Sequence, residues 1–481
     1  MSIQKLIEQK KADEAIPLLQ SELESNILWA QGWVWLGDCF LWNKQGTAAT
    51  MAYERAWILD PQANWVEGVY QILETTPNGS IPKWLSELLK VPKVKVTGAM
   101  IAKNAASTIG KALAALQPAV DELVVVDTGS EDSTMAIAES FGAKIVVHPW
   151  KDDFAAARNA ALPHCEMDWV LWVDADEYLD SADISVPRII AGLYDQVQPA
   201  HWARIVQVNH MEDHVEPNYD LIRFFPLRRG VGWRWRIHEQ VDWLHEEDRH
   251  QEAIRPASRI RVHHWGYMPD VMNQEKKTQR NIKILREEVK DHPASTGVRW
   301  FLGRDLYVSN QLEEAVEVLK QAEQLAVNEP SFHRTPEIRY IMSEALMRME
   351  RWDEAEQTAK KLTELNPEYP GGWYIYAKIL LEVAVRKLHL ADQNFIKVHD
   401  TSVGYTTLSM NPQVTELLPI IGRADIARFQ SRLRDAIFLY KEALKMAPDH
   451  EGVKDQLWRI KNEISTVSNM LGELDDNQQK D

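Results

Sequence analysis

The chain has 481 residues, of which 45% are hydrophobic and 9% aromatic, a composition typical of a globular protein and not of a disordered one. At roughly 150 residues per domain, this length predicts about three domains. The net charge of −17 argues against a general nucleic-acid surface, which normally shows as a basic patch. Small anionic ligands are not excluded, because they need only a local cluster of basic side chains.

Cysteine content and hydropathy indicate the compartment. Cys39 and Cys165 are too few for a disulfide framework and are typical of a reducing environment. The N-terminal sequence has the pattern of an amphipathic helix, without the apolar core and cleavage site of a signal peptide. No window approaches the ~18 to 20 consecutive apolar residues of a membrane helix. We therefore expect a soluble, cytoplasmic protein with no membrane span.

The first predicted elements are helices of a tetratricopeptide-like repeat within residues 1–90. The signature positions of a 34-residue repeat are occupied by Trp33, Leu36, Gly37, Phe40, Ala49, Tyr53, Ala56 and Pro61. A helix pair of this kind cannot bury its apolar face alone. We therefore expect this N-terminal domain to pack against its neighbour.

A central domain, predicted at 91–268, alternates strand-like and helix-like segments. Apolar strand-like runs at 94–101, 122–127, 144–148 and 169–173 are separated by helical patterns at 107–117, 131–141 and 153–162. This alternation predicts a parallel sheet covered on both faces. Ser107 and Ser130 are expected as helix N-caps, and Gly142 as a helix stop.

Helical repeats return in the C-terminal part, predicted as a domain at 269–470 followed by a disordered tail at 471–481. The repeat signature recurs at Leu302, Gly303, Leu306, Ala315, Leu319 and Ala322, at Leu346, Ala355, Leu362 and Pro367, and at Ala436, Tyr440, Ala443 and Pro448. The stretch 373–415 keeps helical periodicity but loses the repeat signature and inserts VGYTTLSMNP, so an irregular hairpin is expected there. Such arrays present extended concave surfaces that bind peptides or proteins.

Acidic residues follow the predicted strands at the edge where ligands collect in α/β sheets. Asp127 ends the second strand, while Asp174 and Asp176 follow the apolar run at 169–173. Carboxylate oxygens suit Mg²⁺ or Mn²⁺ and can hold such a cation against a diphosphate. Taken alone, the Asp-Ala-Asp sequence is explained equally well by a solvated acidic turn. The neighbouring motifs must therefore decide between a metal site and such a turn.

Those surroundings form an ordered series of motifs. In chain order they read VTGAMIAKNAAST, ELVVVDTGSEDST, WKDDFAAARNAAL, WVLWVDADE, FFPLRRGVGWRWRIHEQV and RVHHWGY. Over about 175 residues this resembles family 2 glycosyltransferases of the GT-A fold. It is similar to a bacterial peptide and protein glycosyltransferase subgroup that carries tetratricopeptide repeats and includes the sublancin S-glycosyltransferase. We therefore expect an α/β GT-A domain with a mostly parallel sheet, flanked by all-α helical repeats.

The resemblance implies roles for individual residues. Contacts to the nucleotide or sugar of the donor are implied for Lys103, Asn104, Asp127, Arg158, Asn159 and Asp174. The metal ligands implied are Asp174, Asp176 and His264, with His263 as a possible substitute for His264. Where the family has glutamate after its Lys-Asn pair, this chain has Ala105, a departure at the nucleotide corner.

Five arginines, Arg223, Arg228, Arg229, Arg234 and Arg236, lie within a short stretch of an otherwise acidic chain. Guanidinium groups suit phosphate oxygens, so at least one is expected at the diphosphate, and we select Arg236. Glu239 is the candidate general base, because inverting transfer needs a carboxylate to accept the acceptor's proton. An alternative role for Glu239 is to orient His238.

The sequence therefore predicts an inverting, metal-dependent hexosyl- or N-acetylhexosaminyltransferase that uses a nucleotide diphosphate donor, with UDP favoured. A peptide or protein acceptor held by the repeats is expected, and homo-oligomerisation stays open. Two alternatives remain: a repeat scaffold with a degenerate transferase domain, and a transferase acting on a saccharide or lipid. A Rossmann dehydrogenase is excluded because G-x-G-x-x-G is missing. A nucleotidyltransferase lacks its glycine-rich loop, and a haloacid-dehalogenase-type phosphatase lacks convincing companion motifs.

Overall fold

The computed structural model describes residues 2–248, 252–265, 274–329, 332–402, 411 and 413–478. Two compact units are present, Met1–Ser309 and Asn310–Asp481. The finer division into domains at 1–90, 91–268, 269–470 and 471–481 stays a prediction. Within the described ranges, no helix is long and apolar enough to cross a membrane.

Helices open the first unit. They are α1 (Ile3–Glu8), α2 (Ala12–Ser25), α3 (Ala30–Trp42), α4 (Gly46–Leu59), α5 (Val66–Thr75) and α6 (Lys83–Leu88). The repeat-signature side chains of α3 and α4, among them Trp33, Phe40 and Tyr53, are buried between these helices. Gly37 is required at this crossing, because a Cβ there would lie 2.8 Å from the ring of Tyr53.

A large α/β part follows. Its strands are β1 (Val96–Ala102), β2 (Glu122–Asp127), β3 (Lys144–Val147), β4 (Trp169–Trp172), β5 (Glu177–Leu179), β6 (Ala200–His201), β7 (Ala203–His210), β8 (Val215–Pro226), β9 (Val231–Arg234), β10 (Gln240–Trp243), β11 (Ala253–Ile254) and β12 (Ala257–His264). Its helices are α7 (Ile109–Leu116), α8 (Thr134–Ser140), α9 (Phe154–Asn159) and α10 (Val186–Tyr194), and α11 (Gln274–Asp291) and α12 (Thr296–Val308) come after the sheet.

Eight strands form one mixed sheet in the order β3-β2-β1-β4-β8-β7-β12-β5. The half from β3 to β4 is parallel, as predicted. In the other half, β8 is antiparallel to β4 and to β7, β12 is parallel to β7, and β5 is antiparallel to β12. Helices α7, α8 and α10 contribute to the core on one face, while α9, β9 and β10 pack on the other. The segment 173–176 therefore connects a central strand to the edge strand β5.

The N-terminal helices pack directly on this sheet. Arg259 of β12 is buried and pairs with Glu54 of α4 and with Asp183, at 3.0 Å for the latter. Its guanidinium lies 4.1 Å from the ring centroid of Trp57, also in α4. Asp183 in addition accepts two side-chain hydrogen bonds from Arg261 of the same strand. The N-terminal repeat is thus joined to the sheet through the ion pair of the partly exposed Glu54 with the buried Arg259, and through Trp57.

The second unit consists of helices. They are α13 (Leu312–Ala326), α14 (Thr335–Arg348), α15 (Trp352–Leu365), α16 (Pro370–Ser402), α17 (Leu418–Phe429), α18 (Leu433–Met446) and α19 (Glu451–Gln478). The C-terminal helical region fits tetratricopeptide-like repeats, with signature positions such as Ala355, Leu362, Ala436 and Tyr440 fully buried. Of the predicted irregular hairpin at 373–415, residues 373–402 belong to helix α16, whereas 403–410 and 412 lie outside the described residues. Of the predicted tail, residues 471–478 belong to helix α19, and 479–481 lie outside the described residues.

Two predicted helix caps are wrong. The N-cap positions are Thr108 and Ser133 instead of Ser107 and Ser130, and neither caps through its side chain. The hydroxyl of Ser130 instead accepts a hydrogen bond from the backbone N–H of Asn104. The predicted stop after α8 is confirmed, since Gly142 follows that helix with a φ of 74°.

Candidate active site at the carboxyl edge of the sheet

The turn after β2 is organised by Asp127. Its side chain is buried, and its carboxylate accepts hydrogen bonds from the backbone N–H groups of Gly129 and Ser130 at 3.0 to 3.2 Å. Gly129 has a φ of 105°, a conformation that side chains rarely adopt. Asp127 thus shapes a rigid turn at the sheet edge, and its contact with a nucleotide stays a prediction.

The loop after β1 is tied to that turn by Asn104. This residue adopts a φ of 51°, and its side-chain oxygen accepts a hydrogen bond from the backbone N–H of Glu131 at 2.9 Å. The neighbouring Lys103 is exposed. The predicted nucleotide-contacting residues of β1 and β2 therefore lie beside each other at one edge.

Asp174 lies at the centre of a buried charge network. Its Oδ1 accepts a hydrogen bond from Arg158 Nη2 at 2.9 Å, and its Oδ2 accepts one from Arg223 Nη2 at 2.8 Å. Arg223 also pairs with Glu177 through Nη1 at 2.5 Å. Gln207 donates a hydrogen bond to the other oxygen of Glu177. Both oxygens of Asp174 are thus engaged by arginines.

Arg158 connects this network to the candidate base. Its Nε donates a hydrogen bond to Glu239 Oε1 at 2.8 Å. The guanidinium carbon lies 5.2 and 4.8 Å from the ring centroids of Trp172 and Trp233. Arg158 Nη1 is buried and forms no hydrogen bond within the described part of the chain. The structure therefore brings Arg158, Asp174 and Glu239 together.

Asn159 has a local structural role. Its amide donates to the backbone carbonyl of Trp233 and accepts from the backbone N–H of the same residue, at 2.8 and 2.9 Å. These two bonds fasten α9 to β9, and thereby fix Arg158 in place. Contact of Asn159 itself with a donor stays a prediction.

Ionisation in this network follows from burial and charge. Burial alone would raise the pKa of Asp174, but Arg223 and Arg158 hold it well below its ordinary range. For Glu177, which is fully buried, burial prevails and raises the pKa despite Arg223. Burial would lower the pKa of Arg223, but the carboxylates of Asp174 and Glu177 raise it. The site therefore holds two permanent cations beside one firmly ionised carboxylate.

Asp176 and His264 form a second pair at this edge. Pairing of β12 with β5 places His264 opposite Glu177, and His264 Nε2 lies 3.7 Å from Asp176 Oδ2. His264 Nδ1 lies 3.1 Å from the side-chain oxygen of Asn209, an atom that only accepts hydrogen bonds. The contact with Asn209 orients the imidazole ring so that Nε2 is the ring nitrogen on the side of Asp176. Such an orienting contact is common behind metal-bound histidines.

Among the residues described here, no group of three or more His, Cys, Asp or Glu side chains is arranged to hold a metal ion. Asp176 and His264 fit a divalent cation as two ligands, whereas Asp174 is turned to its arginines. The other candidate, His263, is held by His210 and Asp180 at 2.9 and 3.2 Å.

The remaining arginines of the cluster are spread out. The guanidinium of Arg236 forms ion pairs with two carboxylates of α11, those of Glu288 and Asp291. Arg228 approaches Asp168 at 3.9 Å with its side chain mostly exposed, and Arg229 donates to the backbone carbonyl of Asp195. Arg223 is the member of the cluster that joins Asp174. A diphosphate contact by Arg236 stays a prediction.

Sequence reasoning missed Glu177 and Gln207. Glu177 directly follows the Asp-Ala-Asp turn, where a charged residue is normally solvated, yet it is fully buried as the first residue of β5. The sequence Glu-Tyr-Leu after the turn is typical of a strand, and it was the one local indication that Glu177 belongs to the sheet. A buried glutamate beside a buried arginine depends on the long-range pairing of β5 with β12, which a local pattern does not contain.

Fold and site together define a GT-A-like α/β domain, with its polar side chains at the carboxyl edge of a mostly parallel half-sheet. Residues 99–238 match the glycosyl transferase family 2 model. The chain therefore contains a family 2 glycosyltransferase domain, accompanied by tetratricopeptide-like helices.

Two named relatives match more than half of this chain. A TPR repeat-containing protein of Synechococcus elongatus is 32% identical over 263 residues, which cover 53% of this chain and 62% of the relative. The glycosyltransferase SunS of Bacillus subtilis, derived from the SPbeta prophage, is 24% identical over 301 residues, 60% of this chain and 65% of SunS. The chain thus matches less than two thirds of the length of either relative.

Solved structures give weaker likenesses. Staphylococcus aureus TarS 1–349 aligns with a TM-score of 0.32 and 14% identity, over 57% of this chain and 93% of TarS. Glucosyl-3-phosphoglycerate synthase of Mycobacterium tuberculosis, solved with Mn²⁺, UDP and its glucosylated product, aligns with a TM-score of 0.19 and 21% identity. That alignment covers 25% of this chain and 45% of the synthase.

Proposed function

We propose that the protein is an inverting, metal-dependent glycosyltransferase that moves a sugar from a nucleotide diphosphate, UDP favoured, to a peptide or protein acceptor. The observation that carries this proposal is the clustering of Arg158, Asp174 and Glu239 beside the Asp176–His264 pair. The cluster lies in and next to residues 99–238, which match the glycosyl transferase family 2 model. In the proposed reaction, the cationic groups of this set bind the diphosphate, and the carboxylate of Glu239 accepts the acceptor's proton.

The donor side relies on fixed positive charge. Arg158 and Arg223 are both nearly buried, and each is oriented by two carboxylates. Preorganised guanidinium groups stabilise developing negative charge without reorganising during the reaction. Asp127 and Asn104, at the ends of neighbouring strands, contact the nucleoside of the donor in this proposal, and Lys103 lies beside them.

A divalent cation, Mn²⁺ or Mg²⁺, would be held by Asp176 and His264 together with diphosphate oxygens, and it would neutralise charge on the departing nucleotide. Mn²⁺ accepts both imidazole and carboxylate ligands, whereas Mg²⁺ prefers oxygen. The histidine therefore favours Mn²⁺. Burial by itself would lower the pKa of His264, but Asp176 and the nearby carboxylates raise it.

On the acceptor side, Glu239 is the proposed base. One carboxylate oxygen is held by Arg158, and Oε2 forms no hydrogen bond to a described residue. In the proposed step the acceptor's nucleophile transfers its proton to this oxygen, bonds to the anomeric carbon, and displaces the nucleoside diphosphate from the opposite face. Displacement from the opposite face inverts the anomeric configuration.

The helical repeats support a large acceptor. Helix α16 of the second unit has 33 residues and exposes Trp373 and Tyr374 by 53% and 61%. Exposed aromatic side chains are enriched where proteins bind other chains. Stacked repeats typically bind peptides or proteins along their extended surfaces.

The test is a transfer assay on the full chain. The protein is incubated with Mn²⁺, a panel of nucleotide sugars and candidate acceptors, and nucleoside diphosphate release is measured together with acceptor mass. We expect a peptide or protein to gain the mass of one sugar, and Asp176→Asn to abolish this gain. Asp455→Asn, at a side chain of 48% exposure against 47% for Asp176, should behave as wild type. A mass gain only on free saccharides or lipids would contradict the acceptor proposal.

A further inference from the structure

The loop that carries Glu239 has an unusual backbone. It connects β9 to β10 and spans residues 235–239, hereafter the base loop. Within it, Trp235 has a φ of 67° and His238 a φ of 51°. Bulky residues seldom adopt positive φ, and they do so where surrounding contacts hold them there. The contacts that hold this loop therefore bear on where Glu239 points.

One set of contacts comes from α12. The Nε2 atom of His238 lies 3.2 Å from Asp305 Oδ2 and 3.0 Å from Arg304 Nη2. The imidazole stacks on Phe301, with ring centroids 4.3 Å apart and an angle of 18° between the planes. Asp305 itself is buried, and its other oxygen accepts hydrogen bonds from Arg304. His238 is thus held on its edge and on one face.

Two further contacts hold the rest of the base loop. The backbone N–H of Arg236 donates to Glu288 Oε2 of α11 at 3.2 Å. The carbonyl of the same residue accepts a hydrogen bond from the N–H of Phe154, at the start of α9, at 2.7 Å. Helix α9 also carries Arg158, the partner of Glu239. The base loop is therefore held at Arg236 and at His238, the residue directly before Glu239.

We propose that Asp305 is a positioning residue that, through His238, holds Glu239 in the orientation needed to accept the acceptor's proton. The inference rests on the proposed function, and it makes α12 part of the catalytic apparatus. Because His238 and Glu239 are adjacent, the positive φ of His238 sets the direction in which the chain enters Glu239. Without Asp305, His238 can relax to an ordinary backbone conformation and turn the carboxylate away.

The charge state of the pair agrees with this role. Burial would raise the pKa of Asp305, but the hydrogen bond from His238 and the charge of Arg304 hold it below its ordinary range. Asp305 is therefore an ionised acceptor at neutral pH. Asparagine keeps an oxygen acceptor of the same size, whereas alanine removes it.

The test compares Asp305→Ala, Asp305→Asn and Glu239→Gln in the full chain, with the donor varied at saturating acceptor. We expect Asp305→Ala to lower kcat about 10- to 100-fold, as expected for a misplaced general base. The KM for the donor and the nucleotide Kd should stay within about twofold. Asp305→Asn should recover most of kcat, and the exposed Glu287→Gln on α11 serves as a control at the wild-type rate.

The double variant separates positioning from general stability. In the Glu239→Gln background, Asp305→Ala should lower kcat no further, because the group it positions has gone. A wild-type kcat in Asp305→Ala, or an effect that multiplies with that of Glu239→Gln, overturns this inference alone. A wild-type chain that transfers no sugar from any donor overturns both this inference and the proposed function.

Discussion

Replacement of Arg223 by methionine tests the buried charge network. Arg223 is 9% exposed and pairs with Asp174 and with the fully buried Glu177. Its removal leaves Glu177 beside Asp174 with no cation of its own. Breaking a buried ion pair on one side costs about 3 to 5 kcal/mol, because the remaining carboxylate must either stay charged out of water or be protonated at a raised pKa. Methionine fills similar space, so we attribute the loss to charge and not to a cavity.

Thermal unfolding followed by circular dichroism measures this effect. At about 2 to 4 °C per kcal/mol, the expected loss corresponds to a decrease in Tm of about 6 to 20 °C. The matched control is Arg228→Met, whose side chain is 77% exposed and lies 3.9 Å from its carboxylate partner. An exposed pair contributes about 0 to 1 kcal/mol, so the control should change Tm by a few degrees at most.

The double variant Arg223→Met, Glu177→Gln identifies the cause. Neutralising Glu177 removes the stranded charge, so the double variant should recover at least half of the stability lost in Arg223→Met. An Arg223→Met protein that unfolds at the wild-type temperature would refute the reasoning. A double variant less stable than the single one would show that packing, and not charge, accounts for the loss.

Three further results are expected. Burial, then nearby carboxylates, raise the pKa of both Cys39 and Cys165 to about 12, so thiol reagents at pH 8 should label the folded chain far more slowly than the denatured chain. Burial would raise the pKa of Glu323, but Arg339 and Lys361 lower it. Glu323→Gln should therefore destabilise the second unit by about 1 to 3 kcal/mol at pH 7. This difference in stability from wild type should fade as the pH falls below ~4. Glu54→Gln should loosen the contact between the N-terminal helices and Arg259, giving earlier proteolysis of these helices than in wild type.

Each of these results has a contradicting outcome. Equal labelling rates in folded and denatured chains would contradict the thiol prediction. The pKa of Glu323 is lower in the folded chain than in the unfolded chain. The ionised Glu323 therefore stabilises the fold at a pH above its unfolded-state pKa, and this stabilisation is lost as the pH falls. A stability difference that grows towards pH 3 would therefore contradict it. Unchanged proteolysis of Glu54→Gln would contradict the third prediction and would show that the contact between Trp57 and Arg259 suffices to hold the N-terminal helices.

The parallel half of the sheet could be predicted because its strands are short continuous apolar runs, as in Trp169–Trp172. The other half, which is mixed, could not be predicted, since β8 begins with Val-Glu-Pro-Asn-Tyr-Asp and shows no clean alternation of apolar and polar residues. Strand β5 has three residues and is defined by its pairing with β12. Such pairing is long-range, and a local pattern does not encode it.

The same distinction applies to the candidate site. The family resemblance implied roles for Asp174 and Arg158, and the need for a base in inverting transfer suggested Glu239. The structure places both carboxylates within hydrogen-bond distance of Arg158. Arg236 and Arg223 could not be told apart in the sequence, because both belong to one basic stretch. Packing separates them: Arg223 faces Asp174 from the neighbouring strand, whereas Arg236 meets acidic residues of α11.

The most direct test of the proposed metal-dependent donor site is a calorimetric titration of the full chain with UDP-sugars, with and without Mn²⁺. We expect binding only when Mn²⁺ is present, and no binding by Asp176→Ala under either condition, while Asp455→Asn binds as wild type. Equal affinity without the metal, or retained affinity in Asp176→Ala, would contradict the account. Failure to bind any nucleotide sugar would instead favour a repeat scaffold with a degenerate transferase domain.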